Sequence, residues 1–164
     1  KLLAENIHDD KYYRKLDKLI FASDLTVDAD NNGVPDLWYI YNSKDGILKI
    51  HIEDAANITN RGEGPSYLVT KQDISLNPQT SYTINLIAGT DMPKDKMIFN
   101  VFSREGESSQ FQWKDIQLSG QISDLNTSFV TTEDLVEGKQ WLRIDFPAAP
   151  ESQVNVKAVE IWEE

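Results

Sequence analysis

Cysteine is absent from this 164-residue chain. Its absence excludes disulfides, thiolate metal sites and a cysteine nucleophile, but assigns no compartment, since exported bacterial proteins often lack it too. Histidine is scarce: the two, His8 and His51, lie far apart, and each reads as a solvated surface residue. Motifs that carry catalysis are missing as well. There is no G-x-S-x-G elbow, no glycine loop to cradle a phosphate and no H-E-x-x-H pair. Carboxylates abound because the chain is acidic, and glycoside hydrolysis needs a particular pair across a cleft, so no enzyme is expected. Cations are few: 16 Lys and Arg against 27 Asp and Glu give a net charge of −11 and a pI near 4.6. Such a surface repels phosphate backbones and anionic lipid, which disfavours nucleic acid and membranes as partners. No apolar run approaches the length of a membrane span, and no signal peptide is visible. The chain opens at Lys1 rather than Met, as expected of a fragment or a processed form. Its length suits one domain that buries a core without staples.

What is present begins with an acidic loop, Asp28-Ala29-Asp30-Asn31-Asn32-Gly33-Val34-Pro35-Asp36. Oxygen-bearing side chains stand at its first, third, fifth and ninth positions, with glycine at the sixth. A hard cation needs such converging oxygens, and glycine tolerates the backbone conformation where the chain doubles back. The expected ligands of a structural calcium ion are Asp28, Asp30, Asn32 and Asp36 through side chains and Val34 through its carbonyl. An EF-hand is excluded because the closing acid is replaced by Tyr39. The flanks, Leu25-Thr26-Val27 and Trp38-Tyr39-Ile40-Tyr41, are strand-like rather than helical. The alternative is an Asx-rich turn without metal.

Residues 1–20 differ from the rest. They have no Gly or Pro, and Leu3, Ile7, Leu16, Leu19 and Ile20 recur at roughly helical intervals, so a tether or short helix is expected there. Residues 21–164 form the domain proper. Strands are expected over Leu48–Glu53, Tyr67–Ile74, Tyr82–Ala88, Met97–Ser103, Gln110–Leu118, Phe129–Thr131, Trp141–Phe146 and Val154–Trp162. Loops are expected over Ile58–Pro65 and Gly120–Thr127. Eight to ten short strands with turn signals between them predict an all-β fold: two antiparallel sheets packed as a jelly-roll sandwich.

The order of these segments resembles the galactose-binding-like jelly rolls of bacterial carbohydrate-binding modules. Gly33-Val34-Pro35-Asp36-Leu37-Trp38 matches a G-x-P-D-x-W turn of that family. Leu76-Asn77-Pro78 with Tyr82-Thr83-Ile84 matches its L-x-P-x-x-x-Y-x-I strand start, and Trp141 to Phe146 its W-x-x-x-x-F strand. The likeness covers about residues 20–162. The acidic loop resembles a single thrombospondin type 3 calcium repeat without its cysteines. One departure concerns the family's D-D/N-V before the last strand, which supplies an acid near a structural calcium. Lys157-Ala158-Val159 stands there, and the loop of residues 28–36 takes over that role in this reading. The resemblance implies an extracellular module of secreted glycoside hydrolases, cell-surface proteins or phage tail baseplates.

Sugar recognition needs an aromatic face for the C–H side of a pyranose and planar polar groups for its hydroxyls. Trp38 and Trp141 sit among apolar neighbours and read as core, and Trp162 as cover for a sheet edge. Trp113, in Gln110-Phe111-Gln112-Trp113-Lys114-Asp115, is either a stacking platform or core packing. Tyr67 is a second stacking candidate, with Tyr39 and Tyr41 weaker ones. Asn60, Arg61, Arg104 and Gln112 are the polar candidates. The leading expectation is a non-catalytic carbohydrate-binding module that attaches a larger protein or tail assembly to a polysaccharide or cell-wall glycan. A structural or protein–protein spacer domain without sugar affinity is the alternative, and convergence of Trp113 and Tyr67 on one face would separate the two.

Overall fold

The computed structural model describes residues 18–93, 96–103 and 109–164. Eleven strands run through them: β1 (Leu19–Asp24), β2 (Trp38–Asn42), β3 (Leu48–Ile52), β4 (Ala56–Asn60), β5 (Ser66–Thr70), β6 (Ser81–Thr90), β7 (Ile98–Ser103), β8 (Ser109–Trp113), β9 (Ser123–Val130), β10 (Gln140–Phe146) and β11 (Val154–Glu163). No helix occurs among the described residues. One sheet has the order β3-β4-β11-β6-β9, with β1 also paired to β11, and the other β2-β5-β10-β7-β8. Every named pairing is antiparallel. The fold is the expected all-β, two-sheet jelly-roll sandwich.

Period-two alternation accounts for the core. Along β6, Tyr82, Ile84, Leu86 and Ala88 are buried while Ser81, Thr83, Asn85 and Ile87 are only half-covered. Along β10, Gln140, Leu142, Ile144 and Phe146 are buried between half-covered neighbours. Inward residues of both sheets merge into one cluster containing Trp38, Leu68, Ile84, Phe99, Leu142 and Ile161. Burial of that kind is the main favourable term in folding.

Two expected loops contain strands. Residues 56–60 form β4, because Ala56, Ile58 and Asn60 face inward while ladders to β3 and β11 use its backbone on both sides. The buried Asn60 disguises the alternation. Residues 123–130 form β9, an edge strand whose Asp124, Asn126 and Ser128 face solvent, and such polar edges guard against unwanted pairing. Conversely, Leu25–Val27 lies beyond β1 in a turn, with the Val27 N–H donating to the Asp24 carbonyl at 3.2 Å. Leu19 and Ile20 belong to β1, and the rest of the expected tether lies outside the described residues except Lys18.

Trp38 ties the two sheets together. Its side chain is fully buried, its Nε1–H donates to Ser23 Oγ at 2.8 Å, and Phe21 meets its ring edge-on at 6.2 Å. Ser23 and Phe21 belong to β1 in one sheet and Trp38 to β2 in the other. Trp38→Ala should therefore lower unfolding free energy by about 3–5 kcal/mol, measured by urea denaturation followed by circular dichroism. A change below about 1 kcal/mol would contradict this role.

Candidate functional site

The outer face of the five-stranded sheet is built by the residues left over from the core pattern. In β10 these are Trp141, Arg143 and Asp145. Strand register sets their neighbours: Tyr39, Val69, Arg143, Asn100 and Gln112 stand side by side across all five strands. Tyr41, Tyr67, Asp145 and Ile98 form the adjacent row, and Trp141 pairs with Phe102. Tyr39, Tyr41, Tyr67, Phe102, Trp141 and Arg143 line a cleft of about 350 Å³ on this face. Two other clefts are of similar size, about 290 Å³ beside Asp24, Lys157 and Glu160 and about 320 Å³ beside Phe21, Leu37 and Ile74. Volume does not separate the three, but only the first has five aromatic side chains in its wall.

Four of those side chains, Tyr41, Tyr67, Phe102 and Trp141, form two aromatic pairs joined by Arg143. Tyr41 and Tyr67 have ring centroids 5.9 Å apart, and Phe102 and Trp141 lie 4.8 Å apart at an interplanar angle of 19°. The Arg143 guanidinium carbon is 4.5 Å from the ring centre of Tyr67 and 4.5 Å from that of Phe102. Phe102 therefore contacts both Arg143 and Trp141. Arg143 thus bridges an aromatic pair on β2 and β5 to one on β7 and β10. Free aromatic surface comes chiefly from Tyr39 and Tyr41, which are 43% and 60% exposed.

Arg143 is held from the side as well. Its Nε and Nη2 donate to the two carboxylate oxygens of Asp145 at 2.6 and 2.9 Å. A bidentate, charge-assisted pair of this kind fixes the guanidinium plane. Burial pushes the Asp145 carboxyl above the ordinary carboxylate range, against the hydrogen bonds and charge of Arg143 and a smaller effect of nearby Asn100. Asn100 is fully buried, and neither its Oδ1 nor its Nδ2 has a well-formed hydrogen bond.

The residues expected from sequence are dispersed. Tyr67 lines the cleft, and Gln112 is exposed on the same face, opposite Asn100 at the edge strand. Trp113 pairs with Phe99 and packs against the core, on the opposite face of the sheet from Tyr67. The two do not converge, so that criterion does not favour the binding reading; Tyr67 shares its face with Trp141 instead. Trp141, expected in the core, is half-buried in the cleft instead, because the inward positions of β10 belong to its even-numbered residues. Trp162 stands between β1 and β6 rather than at a sheet edge, its Nε1–H donating to Glu160 at 2.8 Å. Asn60 is buried and fully used: Nδ2 donates to the carbonyls of Gly64 and Phe146, and Oδ1 accepts from the N–H groups of Gly62 and Ile47. Arg61 is exposed in the loop after β4, outside the cleft lining. Arg104 lies outside the described residues. Arg143 and Phe102 were missed by sequence reading, although Trp141-Leu142-Arg143-Ile144-Asp145 alternates clearly enough to place Arg143 and Asp145 beside Trp141.

The acidic loop joins the two sheets, running from β1 to β2. Carboxylate oxygens of Asp28, Asp30 and Asp36 lie within 4.8 Å of one another. Two oxygens bound at about 2.3–2.6 Å on opposite sides of one calcium ion would be about 4.6–5.2 Å apart, so the spacing fits a single ion. The chain turns through positive φ at Asn31 (55°), Gly33 (83°) and Leu37 (72°). Asp28 accepts backbone hydrogen bonds from Gly33 at 2.9 Å and Asn32 at 3.1 Å. Desolvation raises its pKa, but these bonds and its contact with Asp30 outweigh it and hold the carboxyl below its usual range. Asn32 donates to Asp30 and accepts from the Val34 N–H. The donor set is all oxygen and suits a hard cation.

No protein-family model matches the chain, and no curated protein does. Solved structures do resemble it. The module CBM1 of BiXyn10A superposes with a TM-score of 0.63 at 12% identity, covering 90% of this chain and 99% of that one. The CBM22-1 xylan-binding domain of Paenibacillus barcinonensis Xyn10C gives 0.53 at 10% identity, covering 88% and 94%. A cyclase from Fischerella sp. TAU gives 0.59 at 13% identity, covering 79% and 85%. At these identities the likeness establishes the jelly-roll fold, shared with carbohydrate-binding modules. The cyclase is a reminder that a fold does not choose a function.

Because the Asn60 amide satisfies four backbone groups, Asn60→Ala should cost about 1–3 kcal/mol in chemical denaturation. The cleft lining itself should be unaffected. A variant as stable as the wild type would contradict the assignment of Asn60 to the loop latch.

Proposed function

We propose that this chain is a non-catalytic carbohydrate-binding module that attaches a larger extracellular protein to a polysaccharide or cell-surface glycan. The observation that carries the reading is the aromatic cleft of Tyr39, Tyr41, Tyr67, Phe102 and Trp141 around Arg143. Pyranose rings present a C–H face to aromatic surface and hydroxyls to planar polar groups, and this face offers both within one cleft. The fold shared with a xylan-binding domain supports the same reading. Xylan and other β-linked polysaccharides are the first ligands to try, with host cell-wall glycan next, as for a phage tail or surface protein.

Tyr67, in the cleft wall, and Gln112, exposed on the same face of the sheet, are retained as contacts. Trp113 is assigned to the core side. A polysaccharide panel and glycan array on the intact chain test the reading, and binding to none of them would leave the spacer alternative. With a ligand in hand, Trp141→Ala should weaken binding by about 1–3 kcal/mol with little change in melting temperature, by analogy with other aromatic stacking contacts. Trp113→Ala should do the opposite, lowering stability while leaving the cleft intact. Reversal of these two effects would move the platform to the other face.

A structural calcium ion belongs to the same proposal. Asp28, Asp30 and Asp36 would hold it, with Asn32 and the Val34 carbonyl completing the set, and water filling the rest. Three neighbouring carboxylates repel one another, and an ion bound only by the folded chain adds stability. At a hundredfold excess over its dissociation constant that linkage is worth about 2.7 kcal/mol, or a midpoint shift of about 5–10 °C for a domain of this size. Magnesium should replace it poorly, since flexible oxygens suit calcium better than a tight octahedron. Thermal melting with calcium and then with a chelator should show the shift, and Asp30→Ala should abolish it. Identical melting under all conditions would reduce the loop to an Asx-rich turn.

A further inference from the structure

Arg143 is gripped on three sides. Tyr67 and Phe102 each approach the guanidinium at 4.5 Å, and Asp145 occupies the Nε–Nη2 edge. A guanidinium carries five N–H donors, and the Asp145 fork uses two of them. Of the three that remain, two point together from the Nη1–Nη2 end and the third, on Nη1, points back toward Cδ. With its ring contacts and one edge taken, that end is where Arg143 can offer a ligand paired donors, and its side chain is still 25% exposed. The end presents two parallel donors, which match two oxygens on neighbouring carbons.

Resting on the carbohydrate reading above, we infer that Arg143 is the specificity-determining group of the cleft, donating a bidentate pair to vicinal hydroxyls of a neutral sugar lying against Tyr39, Tyr41 and Trp141. Charge points to a neutral sugar. Asp145 already balances Arg143, and a chain of net charge −11 repels glycans that carry carboxylates. Asp145 is a positioning residue, because it fixes the plane of Arg143 without reaching the sugar. Linkage then becomes the discriminating feature. Internal units of a β-1,4-linked glucan or xylan keep free hydroxyls at carbons 2 and 3, whereas a β-1,3 linkage consumes the oxygen at carbon 3. An internal β-1,3-linked glucose therefore has no vicinal hydroxyl pair to offer.

A consequence for pH follows from the surroundings of Asp145. It faces Arg143 on its own strand, Tyr67 on β5, and Ile98 and Asn100 on β7. Arg143 is the only cation among these neighbours. Protonation of Asp145 on acidification removes one half of the clamp. The raised pKa of Asp145 means that the folded chain binds this proton more tightly than the unfolded one, so the group's own titration does not destabilise the fold as pH falls.

The test is isothermal titration of the intact chain with xylohexaose, cellohexaose and laminarihexaose. The wild type should bind the first two about tenfold or more tightly than laminarihexaose, as expected for loss of a charge-assisted hydrogen-bonding pair. Arg143→Lys should lose that preference and about tenfold of its affinity for the β-1,4-linked ligands, with its melting temperature checked alongside. Wild-type affinity should decline on acidification through the Asp145 titration, whereas Asp145→Asn should bind weakly with a flat pH profile. If Arg143→Lys keeps both affinity and preference, or the wild type prefers laminarihexaose, the role of Arg143 is overturned while carbohydrate binding stands. If the wild type binds none of the three and no polysaccharide of the wider panel, both readings fall together.

Discussion

The register of β10 is the constraint on which this molecule depends. That strand sits in the middle of the five-stranded sheet, paired to β5 on one side and β7 on the other. Its even-numbered residues fill the core, and Trp141, Arg143 and Asp145 face outward as the spine of the cleft. Because side chains alternate with a period of two, a slip by one residue would send Arg143 and Asp145 into the sandwich and Leu142 and Ile144 into solvent. The cost of burying that ion pair among aliphatic side chains makes the observed register far more favourable than its neighbour. Core formation and site formation are thus one event.

The same economy governs the ends of the sheets. The acidic loop spans from one sheet to the other, and immediately after it Trp38 enters the core and bonds to Ser23 of the opposite sheet. Any ion held by Asp28, Asp30 and Asp36 would pin this crossing rather than take part in recognition. At the cleft end formed by Tyr41 and Tyr67, the turn after β2 packs against the loop after β4. A Cβ on Gly62 would lie 2.1 Å from the Asp45 carbonyl oxygen, so glycine is required there for the two segments to touch. Asn60 beneath them supplies the hydrogen bonds that hold the contact.

In the cleft, polar and aromatic groups support one another. An exposed Arg–Asp pair contributes little to stability, but this one is largely shielded, with side-chain exposures of 25% and 18%. Rings on both flanks restrict the guanidinium further through cation–π contact. The outcome is a guanidinium held in one orientation between two aromatic pairs, and preorganisation of that kind lowers the entropic cost of any binding.

Local patterns in the sequence were enough for the fold class, for the burial of Trp38, and for bringing Asp28, Asp30 and Asp36 together, since alternation and short spacings act within one strand or one loop. They were also enough to place Trp141, Arg143 and Asp145 on a common face. They could not say which face, because Trp141 is as apolar as the Leu142 and Ile144 beside it, and only the partner sheet decides which set is covered. Nor could they show that Tyr41, Tyr67, Phe102 and Trp141 meet. Those residues come from four strands widely separated along the chain, and strand pairing, set by the packing of the whole sandwich, is what brings them onto one face. The same pairing turned Trp113 toward the core, a choice between stacking platform and core packing that its neighbours in sequence left open.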